Sequence, residues 1–251
     1  MQISAKELRH LANDVDDMHH EAMRTFKEEA AEMHLGAVRQ RRTFLKRTGI
    51  AAVGGTLLAT GGGLTTFTRL GGLAGAQSLS DSEIAGYAQS IELAAVAAYM
   101  AAAPKLSGDV LQVATMFAGH HQDHADAFGA VAGDDARPEA NATLVEAVTP
   151  TLEAVGAAEP SDELTAQILT FARDLENQAA YTYAGALTLL SDPAYAAATS
   201  TILPIEAQHA TVLTIALKGG VDELFPTGAF ESAALGDGTD KTKGLDPATF
   251  G

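Results

Sequence analysis

The helical pattern of this chain is clearest in FAGHHQDHADAF, residues 117–128, and again in ILPIEAQHATVL, residues 202–213. In each segment two polar residues lie between two apolar ones, at successive steps of four, three and four residues. These steps place all four side chains on one face of an α-helix, so the polar residues are expected to lie among core residues. They are His121 and His124 in the first segment, and Glu206 and His209 in the second.

A glutamate precedes each of these segments within a further helical pattern. Glu92 is followed by Tyr99 seven residues later, and Glu176 is followed by Tyr183 at the same spacing. Both glutamates lie among alanines and aliphatic residues, where an unpaired carboxylate is costly. Only six Lys and Arg occur in residues 77–251, and none lies within these central turns. A bound cation is therefore the expected partner of the carboxylates.

The two halves of the chain repeat this polar set, at an offset of 84 residues for the glutamates and 85 for the two later positions. A repeated set of carboxylates and imidazoles is typical of a metal site inside a four-helix bundle. His120 is an alternative ligand, but it lies about 100° around the helix from its neighbour and breaks the repeat. The candidate metal ligands are Glu92, His121, His124, Glu176, Glu206 and His209.

Four helices are predicted, because apolar residues recur with helical spacing and strand patterns are nearly absent. Ser80 and Glu83 form a capping box at the start of the first helix, and a proline ends it. The expected helices span residues 80–103, 107–133, 161–190 and 192–219. The predicted fold class is all-α.

The connections between these helices predict the topology. Only a few residues join the first helix to the second and the third to the fourth, so each pair forms an antiparallel hairpin. The 28 residues at 133–160 separate the hairpins. They are long enough to follow the whole bundle, with a short helix at 139–155. The favoured architecture is two antiparallel hairpins joined by a long crossover, and a plain up-and-down bundle is the alternative.

The motif RRTFLK at residues 41–46 resembles the twin-arginine (Tat) export signal at every defined position. An uncharged, glycine-rich segment at 48–68 follows, and then Ala74-Gly75-Ala76, which fits the small-residue rule for cleavage. The resemblance implies an exported protein that meets the Tat translocase already folded. Its expected location is the periplasm, the cell envelope or the exterior. We predict cleavage after Ala76 without stable membrane insertion, and an uncleaved anchor is the alternative.

The chain is thus divided into a signal with its leading region at 1–76, a bundle at 77–220 and an extended tail at 221–251. The leading forty residues are predicted to form a solvated amphipathic helix with incidental histidines. The remaining 175 residues hold 24 Asp and Glu against 6 Lys and Arg, a balance that argues against nucleic acid as a partner. The absence of cysteine excludes disulfides and thiolate metal sites.

The segment IEAQHA at 205–210 resembles the fourth-helix motif of the ferritin-like domain proteins, and residues 117–128 resemble its counterpart on the second helix. The resemblance covers roughly residues 80–220 and is nearest to small exported proteins of the desiccation-related type. It implies that Glu92 and Glu176 are terminal carboxylate ligands. It also implies that His124 and His209 are imidazole ligands and that Glu206 bridges two metal ions.

The chain departs from the family pattern at His121, where a second bridging glutamate is expected. An imidazole does not bridge two ions as a carboxylate does, and its presence lowers the ligand charge from -4 to -3. This change favours lower oxidation states, or a single tightly held ion. The expected cofactor is a divalent transition metal, with iron favoured and manganese or zinc as alternatives.

Three functions follow from these observations. The first is a metal-binding protein with a mono- or di-metal site and a role in metal handling or envelope stress. The second is an oxidoreductase that acts on O2, peroxide, Fe(II) or Mn(II). The third is a degenerate bundle with an empty site and a structural role. Whether the protein is an enzyme stays open, and a monomer or dimer is expected.

Overall fold

The computed structural model describes residues 3–44 and 79–218, and every regular element within them is helical. Most of the predicted signal, its cleavage site and the tail lie outside these residues. The α-helices are α1 (Ala5–Phe44), α2 (Asp81–Ala102), α3 (Gly108–Ala132), α4 (Ala142–Ala157), α5 (Asp162–Ala186) and α6 (Pro193–Lys218). The all-α prediction is confirmed.

The predicted helix ends agree closely with the structure. Ser80 caps α2, and both hydrogen bonds of its capping box with Glu83 are present. The third predicted helix is about four residues too long, because α5 ends at Ala186. The crossover helix is displaced by two or three residues, since α4 spans Ala142–Ala157. Within the described residues, none of the helices has the combination of length and apolar character that a membrane span requires.

Hydrogen bonds between α2 and α5 determine how the hairpins are joined. The hydroxyl of Tyr99 on α2 donates to Glu176 on α5, and the hydroxyl of Tyr183 on α5 donates to Glu92 on α2. Because each tyrosine lies seven residues beyond the glutamate of its own helix, these crossed pairs require α2 and α5 to be antiparallel. A plain up-and-down bundle would make them parallel. The connection through α4 is therefore a crossover along the length of the bundle.

The polar site lies between two apolar layers of the bundle. One layer contains Phe117, Leu164 and Leu213, and the other contains Phe128 and Ile202. Phe117 and Ile202 are fully buried. The layers exclude water from the helix segments between them, so polar groups placed there must be satisfied by one another or by a ligand.

The helix α1 docks on the bundle against α3 and α6, contrary to the prediction of a solvated helix. Its buried residues recur every three or four positions, and they contact both apolar layers. They are Leu8, Ala12, Val15, His19, Met23 and Phe26. An ion pair between Arg9 and Asp109 joins α1 to the start of α3. The charged residues that suggested a solvated helix lie on the exposed face of α1.

Candidate metal centre

All six predicted ligands converge in the middle of the bundle. Helix α2 supplies Glu92, α3 supplies the two histidines, α5 supplies Glu176, and α6 supplies Glu206 and His209. Each of the six is at most 1% exposed. The structure therefore brings together every residue that the repeat singled out, while their role as ligands stays a prediction.

The six residues form two groups of potential ligands that share two members. In the first group, three residues of the first hairpin, Glu92, His121 and His124, meet Glu206 from the second. In the second group, Glu176, Glu206 and His209 meet His121 from the first hairpin. Within each group the potential ligand atoms lie within 4.8 Å of one another. This arrangement matches the sequence repeat, and the two shared residues, His121 and Glu206, occupy the one repeat position at which the halves differ in residue type.

The imidazole of His121 lies between Glu92 and Glu176. Its Nδ1 is 2.7 Å from Glu92 Oε2, and its Nε2 is 3.2 Å from Glu176 Oε1. Hydrogen bonds from both ring nitrogens to carboxylates require both nitrogens to donate, so this ring carries a positive charge in the metal-free protein. Each nitrogen faces one of the two ligand groups.

The contact between His124 and Glu206 is close but is not a hydrogen bond. His124 Nδ1 lies 2.8 Å from Glu206 Oε1, within the range of an ion pair. The side-chain nitrogens of His124 and both carboxylate oxygens of Glu206 are nevertheless buried without a hydrogen-bond partner, because the groups are not aligned for donation. Burying such groups unsatisfied is costly. A cation bound by the carboxylate and by the ring, once the ring has lost a proton, would satisfy these atoms, so the residues fit a metal ion.

Two tyrosine hydroxyls donate hydrogen bonds to Glu92 and Glu176, each from the opposite helix. Burial and the negative charge of Glu176 raise the pKa of Tyr99 well above its usual value. Burial and the charge of Glu92 do the same for Tyr183. Both phenols are therefore neutral donors, and each fixes one oxygen of a glutamate.

The remaining electrostatics of the metal-free core are those of carboxylates paired with imidazoles. Burial alone would raise the pKa of Glu92, but the charges of His124 and His121 and the hydrogen bond from His121 outweigh it and lower the pKa to about 2. His124 responds in the opposite sense: burial would lower its pKa, but Glu92 and Glu206 raise it to about 9. The carboxylates likewise raise the pKa of His209 and, more strongly, that of His121. Metal ions compete with these protons for the histidine nitrogens.

Sequence reasoning missed a second polar cluster next to this core. His120, set aside because it breaks the repeat, is 4% exposed, and its Nδ1 lies 2.9 Å from His209 Nε2. Its Nε2 lies 2.9 Å from Asp16 Oδ1 on α1. His19 is 1% exposed, so it is not an incidental surface histidine. The three-and-four-residue recurrence of apolar residues along α1 was the available signal.

Buried carboxylates and imidazoles that converge from four helices are compatible with a metal site of the kind found inside helical bundles. A family model described as a ferritin-like domain matches residues 16–219. The chain belongs to this family. Comparisons with curated proteins and with solved structures found no match. The family match begins inside α1, while the predicted domain division at residue 76 stays a prediction.

Proposed function

We propose that this protein binds one or two divalent transition-metal ions in the core of its bundle and serves in metal handling or in protection of the cell envelope. The observation that carries the proposal is the pair of four-residue ligand groups sharing His121 and Glu206. The unsatisfied buried atoms of His124 and Glu206 support it independently. Imidazole and carboxylate donors suit iron, manganese and zinc, and iron is the favoured metal.

The charge of the site favours divalent over trivalent ions. As metal ligands the three glutamates would contribute a charge of -3, and the histidines would be neutral. Two divalent ions would leave a charge of +1 in the core, whereas two trivalent ions would leave +3. Because uncompensated charge is expensive in a water-excluded core, we expect divalent ions to be retained. The histidine at position 121 contributes to this preference, since a glutamate there would add a fourth negative charge.

The test of this proposal is the number of metal ions retained by the full chain. Protein loaded anaerobically with Fe(II), Mn(II) or Zn(II) and then dialysed should retain at least one ion per chain. The Glu206→Gln variant should lose at least one ion, because this residue belongs to both ligand groups. The matched control Glu153→Gln, which alters an exposed carboxylate on α4, should leave the number unchanged. Equal retention by wild type and Glu206→Gln would contradict the proposal.

A second function, oxidation or reduction at the same site, is favoured by the two tyrosines. Their hydroxyls bond directly to predicted ligands, which places oxidisable side chains beside the site. Bound iron or manganese would supply one-electron chemistry, and the protein would hold the ions and exclude water. The assay is ferrous oxidation in air. Wild type that oxidises Fe(II) no faster than its His124→Ala variant would count against this function.

We propose that export follows the Tat route, as the motif at residues 41–46 predicts. A folded, metal-loaded bundle suits a route that exports folded proteins. Since α1 precedes the predicted cleavage site, cleavage after Ala76 would separate α1 from the bundle covalently. The intact mass of the exported protein tests this directly. Replacing Arg41 and Arg42 by lysine should retain the protein in the cytoplasm, and export unaffected by that change would contradict the proposal.

A further inference from the structure

The face of α1 that docks on the bundle carries a polar patch at the level of the core site. Its apolar residues contact the two layers above and below, and Asp16 and His19 lie between them. His19 stacks on His120 of α3, with ring centroids 3.8 Å apart and an angle of 14° between the planes. We call Asp16, His19 and His120 the outer cluster.

The ring nitrogens of His19 lack hydrogen-bond partners although the side chain is 1% exposed. His19 lies at a long ion-pair distance from Asp123, whose Oδ2 is 3.9 Å from Nε2 of the ring. Burial, together with the neighbouring His120, lowers the pKa of His19 to about 2, so the ring is neutral and keeps a lone pair. A purely apolar residue would fill this position without the cost of an unsatisfied imidazole.

The donor atoms of the outer cluster are arranged for a common ligand. One oxygen of Asp16 and one nitrogen each of His19 and His120 lie within 4.8 Å of one another. Two imidazoles and a carboxylate are a donor set that suits Zn(II), Fe(II) and Mn(II). The other nitrogen of His120 contacts His209 Nε2, and such a second hydrogen bond is the usual way in which a ligating histidine is oriented.

We propose that Asp16, His19 and His120 form a second transition-metal site, separate from the core site and assembled only when α1 is docked on the bundle. Two of its three ligands come from α1 and one from α3. An ion bound there joins the two helices, and the site disappears when α1 leaves. This site is distinct from the six core residues, none of which belongs to it.

The test counts Zn(II) ions on the full chain, with its intact mass verified, by native mass spectrometry after equilibrium dialysis. His19→Leu and Asp16→Asn should each bind one ion fewer than wild type. The first variant replaces a buried ring that makes no hydrogen bond by an apolar side chain, and the second alters a side chain that is 34% exposed, so both are expected to fold. The matched control His10→Ala removes an exposed histidine of the same helix and should bind as wild type does.

Unchanged ion counts in both variants would overturn the proposal, because His19 would then only pack. Loss of all ions in both variants would also overturn it, since the outer cluster would then act only by supporting the core. A core variant separates this proposal from the function proposed above. Glu92→Gln, Glu176→Gln and Glu206→Gln combined leave the core without a carboxylate, so this variant should abolish core binding and retain one ion, which His19→Leu should then remove. Retention of no ion by the core variant would contradict a separate outer site.

Discussion

Metal uptake by the core should release protons, because its histidines are held in the charged form by the glutamates. His124, with a pKa raised to about 9, is protonated in all but about 1% of metal-free molecules at pH 7. Removing that proton costs about 2.7 kcal/mol at this pH, since each pKa unit corresponds to about 1.36 kcal/mol. The apparent affinity at pH 7 is therefore about 100-fold weaker than with a neutral ring.

The Mn(II) affinity of the core is expected to rise at least tenfold per pH unit between pH 6 and 8, because binding of the first ion releases at least one proton. The rise is steeper if His121 and His209 also lose protons, since the pKa of each is raised. Calorimetric titration with Mn(II) in two buffers of different ionisation enthalpy gives the number of protons directly. The His124→Asn variant should release one proton fewer than wild type.

The same pKa fixes how the stability of the metal-free protein depends on pH. A histidine with a raised pKa contributes stability that is complete below about pH 6.5 and is lost as the pH rises through about 9. We therefore expect the metal-free protein to lose roughly 3 kcal/mol of its free energy of unfolding over this range. Bound metal should remove the dependence. Identical Mn(II) affinity at pH 6 and pH 8, with no proton released, would refute this account of the core.

Three other predictions concern packing, the tyrosines and the docked helix. In a urea titration, Gly86→Ala should destabilise the fold by about 1–3 kcal/mol, because the added Cβ would lie 2.0 Å from a backbone oxygen of the turn after α3. The control Gly119→Ala, whose added Cβ meets nothing within 4 Å, should stabilise the fold by up to about 1 kcal/mol. Tyr183→Phe should cost the metal-free protein about 1.5–3 kcal/mol, because it removes a buried hydrogen bond to a carboxylate. Tyr195→Phe, which removes a bond to a backbone carbonyl, should cost about 1 kcal/mol, and equal losses would contradict the charge-assisted role. Because the pKa of His19 is lowered, its contribution to stability is complete above about pH 6.5 and is lost progressively as the pH falls toward about 2. Between pH 6.5 and 4.5 the free energy of unfolding of metal-free wild type should therefore fall by up to about 2.7 kcal/mol more than that of His19→Leu. Parallel pH profiles of the two proteins would contradict this.

The positions of the six core residues could be predicted because helical spacing is local. Steps of three and four residues determine which side chains share a helix face, and the repeat of the polar set linked the two hairpins. The short connections likewise determine that each hairpin is antiparallel. The length of the crossover alone left two topologies open.

The crossed bonds of the tyrosines could not be predicted, because they depend on the register between α2 and α5. Tyr99 and Glu176 are 77 residues apart in the chain, and nothing local relates them. The spacing of each tyrosine from its own glutamate was visible, but the partner was not. Tertiary packing alone supplies that information.

The docking of α1 was missed for a different reason. Its sequence combines an apolar stripe with many charges, and such a helix can be solvated or can dock, depending on whether a complementary groove exists. The groove between α3 and α6 forms only in the folded bundle. The contacts of His120 with α1 were missed for the same reason, because they involve a helix that lies outside the repeat.

Crystals of the full chain soaked with Mn(II), and measured near the manganese absorption edge, test the central claim most directly. We expect an anomalous peak between α2, α3, α5 and α6. Its centre should lie about 2.0–2.3 Å from an oxygen of Glu206 and from a nitrogen of His124 or His209. A crystal soaked with excess Mn(II) that shows no anomalous peak in the bundle, and in which the glutamates are still bonded only to tyrosines and histidines, would contradict the proposed core metal site.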